Sequence, residues 1–92
     1  MKGIKHDTGK SNWFLLPLVA VQQIVQVMDY GAKTYGQDNW KHLEKGNERM
    51  FAACLRHLTK WQTGERIDPE TRLNHLAHAA CCLVFMLWYE EQ

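Results

Sequence analysis

Ninety-two residues with 46% apolar content and a formal net charge of +1 make a single domain, near the smallest size at which a core holds without disulfides or structural metal. That balance excludes a global field drawing the protein to nucleic acid or an anionic membrane, so stable nucleic-acid binding is not expected and any anion site is local. No apolar run approaches the roughly 20 residues of a membrane span, the N-terminus lacks the apolar run of a secretory leader, and the three cysteines are odd in number with Cys81 and Cys82 adjacent, so reduced thiols in a cytoplasm and no membrane partner are expected.

The chain opens with a basic arm over 1–16, carrying Lys2, Lys5, Gly9 and Lys10, that runs into Trp13-Phe14-Leu15-Leu16 and is expected to pack down at that end. Pro17 suits a helical first turn, and Leu18, Val21, Ile24, Val25 and Met28 follow at helical spacing, predicting a first helix over 17–35 that stops at Gly36. A polar loop with Asn39-Trp40 leads to Asn47, a plausible N-cap. From there the stripe Phe51, Cys54, Leu55, Leu58 and Trp61 predicts a second helix over 47–63, stopped by Gly64. Asp68-Pro69-Glu70 has the chemistry of a helix start, so the third helix is expected over 69–90. Its main stripe is Leu73, Leu76, Ala80, Leu83, Val84 and Leu87, yet Cys82, Phe85, Met86 and Tyr89 make the other side apolar too. A helix apolar all round is covered on both sides, so the expectation is an all-α, small antiparallel bundle of three main helices completed by a second copy, as a dimer or tetramer.

Chemistry concentrates at the hinge between the second and third helices. His75 and His78 are three apart and share a face that Cys82 continues, His57 lies near the end of the preceding helix, and Glu65, Asp68 and Glu70 sit in or beside the turn. Imidazoles and carboxylates together suit Zn, Mn, Fe or Mg, and a carboxylate-bound divalent cation clamps phosphate oxygens and activates water. Each residue also has an ordinary explanation: Asp68 and Glu70 as helix-start acids, His75 and His78 as satisfied polar positions, Cys82 as a small apolar filler.

A cationic group, Arg49, Arg56 and Lys60 on one face of the second helix with Lys5 and Lys10 on the arm, matches phosphate oxygens and equally describes a solvated face. Tyr35, Asn39 and Trp40 offer an aromatic plate beside an amide that would stack on a base, or a tryptophan anchoring a loop. Asp7-Thr8-Gly9-Lys10 lacks the glycine spacing and preceding strand of a phosphate loop, and no serine or cysteine has an activating neighbour.

The ordered run Lys5-His6-Asp7-Thr8-Gly9-Lys10, Tyr30-Gly31-Ala32-Lys33-Thr34-Tyr35-Gly36, Asn39-Trp40, Arg56-His57-Leu58, Gly64-Glu65, Asp68-Pro69-Glu70-Thr71 and His75-Leu76-Ala77-His78-Ala79 spans nearly the whole chain. It resembles the phage-associated family named for the N-terminal domain of dATP/dGTP diphosphohydrolase, related in style to the MazG-like all-α nucleotide pyrophosphohydrolases. The resemblance implies cleavage of a purine (deoxy)nucleoside triphosphate between its α and β phosphates, with Mg²⁺ or Mn²⁺, by a phage or prophage protein in a bacterial host. It casts His57, Glu65 and Asp68 as catalytic, Glu65, Asp68, Glu70, His75 and His78 as metal ligands, Lys5, Lys10, Arg49 and Arg56 on phosphates, and Tyr35, Asn39 and Trp40 on the base. The MazG-like glutamate pair on one helix is missing here, and Arg72 stands where a glycine is expected after Asp-Pro-Glu-Thr. Two other readings stay open: a nucleotide-sensing or protein-interaction module on the same scaffold, and a structural Zn site built on His75, His78 and Cys82.

Overall fold

A computed structural model describes residues 2–92; Met1 of the arm lies outside the described residues. Three α-helices form the body: α1 (Leu18–Tyr35), α2 (Gly46–Gln62) and α3 (His75–Glu90). Short turns of 3-10 helix at Trp13–Leu15 and Asn39–His42 flank α1, and among the described residues there is no sheet, one isolated bridge joining Ile67 to Asn74. The helix α3 is central, packing mainly on α2 and more lightly on α1. No helix of the described residues is long and apolar enough to cross a membrane.

The α2–α3 contact is made by small side chains. Cys54, Ala79 and Cys82 are buried together with Met50 and Ala53 packed against them, and Ala77 and Cys81 are buried as well. Burial pushes the Cys81 thiol up to about 12 and, against the opposing pull of the Arg56 charge, the Cys82 thiol up to about 11. Both are therefore unreactive packing groups at neutral pH. This corrects the expected stripes. On α3 the large residues Leu76, Leu83, Val84 and Leu87 point outward, and on α2 Phe51, Leu55 and Leu58 are exposed. Short side chains let two helix backbones approach closely, so the alanine and cysteine face wins the contact and the bulkier face is displaced to the surface.

The arm also differs from expectation. Asn12 caps the 3-10 turn by accepting from the Phe14 N–H, but Trp13 is 78% and Phe14 95% exposed, and Leu15, Leu18 and Val19 are exposed with them. The radius of gyration is 16.5 Å, against about 12 Å for a compact chain of this length.

Helix starts were the least predictable feature. Lys45, not Asn47, is the N-terminal cap of α2, in the left-handed region at φ 56°. The third helix begins at His75 rather than Pro69, capped by Asn74, whose side chain accepts from the Leu76 N–H at 2.8 Å. Asp68 does accept a local hydrogen bond, from the Glu70 N–H at 2.8 Å, which is the bond an N-cap makes. Here it closes an Asx-type turn instead. Arg72 then takes φ 64°, a left-handed step that no helix contains and that explains the glycine expected at this position. The loop is tied shut by backbone bonds from Asp68 to Leu73 and from His75 to Arg66, at 2.9 and 2.8 Å.

Candidate metal centre

The loop 63–74 folds over the junction of α2 and α3, and its bonds set the side chains beneath it. Gly64 ends the α2 exit at φ 111°, so the chain doubles back at once and delivers Glu65 and Asp68 over the last turn of α2. His57, just ahead of that turn, meets His75 and His78 on the first turn of the antiparallel α3. The His57 and His78 rings stack with centroids 4.4 Å apart and 8° between planes. His57 Nδ1 lies 2.8 Å from His75 Nδ1, and His75 Nε2 lies 2.8 Å from Glu65 Oε2.

One donor atom from each of His57, Asp68 and His78 falls within 4.8 Å of the other two, a spacing that fits a single cation. Asp68 divides its labour: Oδ1 holds the turn through Glu70 N–H, while Oδ2 faces His78 Nε2 at 3.8 Å. Both imidazoles are held neutral. Burial, reinforced by His78 and His75, brings His57 from 6.5 down to about 4, and burial lowers His78 against the opposing pull of Asp68. A neutral imidazole keeps a lone pair for a metal, so two such rings beside a carboxylate are a donor set ready for a divalent ion without displacing protons from the rings.

Not every residue expected to bind the ion is in that group. His75 is 2% exposed and has both ring nitrogens engaged, one by His57 and one by Glu65. Glu65 in turn bonds His75 and stands 3.8 Å from Lys60 Nζ. Glu70 is exposed at the rim, near enough to His78 for its charge to be felt there. Cys82 packs with Cys54 and Ala79 in the core instead of continuing the histidine group, so among the described residues the metal-ligating group contains no cysteine. The sequence reading missed Thr71, whose Oγ1 is 2.7 Å from His78 Nε2 and also accepts from the Leu73 N–H. No periodicity signals it, because its position depends on the left-handed step at Arg72.

The cationic and aromatic groups lie apart from one another. Arg56 is exposed beside His57 and its charge reaches that ring; Arg49 is exposed two turns earlier on α2, and Lys5 and Lys10 are exposed on the arm. Trp40 is bound into the far end of α3: it stacks on Phe85 at 4.0 Å, meets Trp88 edge-on, and its carbonyl accepts from Tyr89 Oη at 2.6 Å. That end is seven or more residues beyond His78, about 10 Å or more along the helix axis. Tyr35 and Asn39 are exposed nearby in the chain.

The model of one family, described as the N-terminal region of dATP/dGTP diphosphohydrolase, matches residues 1–92. The chain belongs to this family. A dATP/dGTP diphosphohydrolase of Salmonella phage PMBT28 is 36% identical over 88 residues, covering 96% of this chain but 30% of the phage protein. The chain thus spans under a third of that relative's length. No solved structure matches it.

Proposed function

We propose that this domain carries a divalent-cation site for hydrolysis of a purine (deoxy)nucleoside triphosphate between its α and β phosphates, releasing monophosphate and pyrophosphate. The observation behind this reading is the convergence of His57, Asp68 and His78 within 4.8 Å, in a chain related to a phage protein named for dATP and dGTP hydrolysis. The donor set fits a metal: two neutral rings and a carboxylate favour Mn²⁺ over Mg²⁺, which prefers oxygen alone. When bound, such an ion supplies the charge that draws triphosphate oxygens and acidifies water. The protein's part is positioning. Arg56, exposed next to His57, is placed to meet a phosphate, with Arg49 further along the helix and Lys5 and Lys10 on the arm as outer contacts. Glu70, exposed and near enough to His78 for its charge to be felt there, would orient water and take its proton in this reading. In this reading the protein acts in the cytoplasm of a phage-infected host, on a freely diffusing nucleotide.

The test is pyrophosphate release from dGTP and dATP by the purified protein with Mn²⁺. Turnover is expected, with His57→Ala and Asp68→Asn reducing it at least about 100-fold while circular dichroism stays unchanged, the scale at which loss of a metal ligand is felt. A folded, Mn²⁺-loaded protein with no turnover on any purine triphosphate removes the reading. That result would favour a nucleotide-sensing module; triphosphate binding without turnover would identify it.

The large apolar residues Leu76, Leu83, Val84 and Leu87 of α3 and Trp13, Phe14 and Leu15 of the arm are exposed, and exposed apolar surface is where partners bind. We read them as the contact with a second copy, since each copy presents the same helix and arm and a two-fold contact sets like against like.

A further inference from the structure

His75 is the one buried polar residue among the described residues, in a core otherwise made of alanine and cysteine. It lies outside the group of donor atoms that converge for an ion, yet both of its ring nitrogens are bonded. Its Nε2 sits 2.8 Å from Glu65 Oε2. An ionised carboxylate only accepts, so that nitrogen carries the hydrogen. In a neutral imidazole the other nitrogen then accepts, and the atom facing His75 Nδ1, at 2.8 Å, is His57 Nδ1. His57 must therefore donate from Nδ1, which leaves its lone pair on Nε2.

We propose that Glu65 and His75 are positioning residues: a two-link hydrogen-bond chain, Glu65 to His75 to His57, sets the tautomer of His57 so that Nε2 presents its lone pair to a divalent cation. A carboxylate that orients a metal-ligating histidine ordinarily touches it directly. Here a second imidazole is inserted, because Glu65 leaves the end of α2 in the loop and the buried first turn of α3 lies between it and His57. The chain also accounts for a polar residue at position 75, where an apolar one of the same size would bury more favourably but hold nothing. The inference rests on the reading of His57, Asp68 and His78 as the metal centre.

Nitrogen-15 NMR of the imidazoles in the metal-free protein at pH 8 reads the tautomers directly. The expected result is hydrogen on Nε2 of His75 and on Nδ1 of His57. Cobalt(II) alone, followed by its visible absorption, then measures affinity without any turnover. His75→Phe is expected to weaken cobalt binding 10- to 100-fold, the usual cost of losing an outer partner. His75→Gln, whose amide accepts and donates in one side chain, restores most of it. Should the phenylalanine variant fail to fold, the wild-type spectrum and the glutamine variant carry the decision. A wild type that binds no cobalt overturns the metal centre and this inference together. Cobalt binding with hydrogen on Nε2 of metal-free His57, or with His75→Phe as tight as wild type, overturns the hydrogen-bond chain alone.

Discussion

At the scale of single residues, the histidine group links protonation to folding. In the unfolded chain His57 takes a proton near 6.5, whereas in the folded chain burial and its two neighbouring imidazoles hold it at about 4. Between those values the unfolded state binds more protons, so stability rises with pH across the window and is lost as pH falls through it. His78 is lowered by burial and adds in the same direction. Thermal melts of the metal-free protein are expected to show a falling midpoint from pH 6.5 toward 4, and His57→Gln should flatten most of that slope. An unchanged slope in the variant would move the linkage elsewhere. Saturating Mn²⁺ should raise the midpoint at pH 7.5 in wild type and not in Asp68→Asn, since an ion that binds only the folded state stabilises it by mass action.

At the scale of elements, two junctions carry sharp expectations. At the start of α2, a Cβ on Gly46 would lie 2.8 Å from the Tyr89 ring, and Tyr89 is held there by its bond to the Trp40 carbonyl. Gly46→Ala should therefore cost about 1–3 kcal/mol, as overpacking does. The cost should shrink in a Tyr89→Ala background, a coupling that a double-mutant cycle in urea measures. At the loop before α3, Arg72 occupies φ 64°, where a Cβ is unfavourable by about 1–2 kcal/mol. Glycine there loses more freedom on folding, by about 0.5–1 kcal/mol, so Arg72→Gly should gain up to about 1 kcal/mol. A lower urea midpoint in that variant would show that the arginine side chain makes a contact worth more than the strain.

At the scale of the whole molecule, the open face of α3 and the unpacked arm set the expectation. Sedimentation at micromolar concentration should give a mass above the 10.8 kDa of one chain. Leu83 and Leu87 are exposed on that face, so Leu83→Lys with Leu87→Lys should return the protein to monomers while leaving helicity intact. A wild-type mass of one chain would sink the second-copy reading.

Helix number and order followed from apolar spacing, and Gly36 and Gly64 marked the ends of α1 and α2, because glycine at a positive φ is a local requirement written in one residue. The hinge was legible as well: histidines near the end of one helix and the start of the next must meet when a short loop turns the chain back. Three things were decided only by tertiary structure. Which face of α3 is buried depended on how closely two backbones approach, so Ala79 and Cys82 displaced Leu83 and Leu87, against the hydrophobic ranking of the side chains. The start of α3 depended on Asp68 making the same first bond in a turn as it would in a cap, with Arg72 then leaving helical space. And the division of the histidines between those facing an ion and the one behind them was settled by burial and by which nitrogens already had partners, quantities that exist only after α2, α3 and their loop have closed on one another.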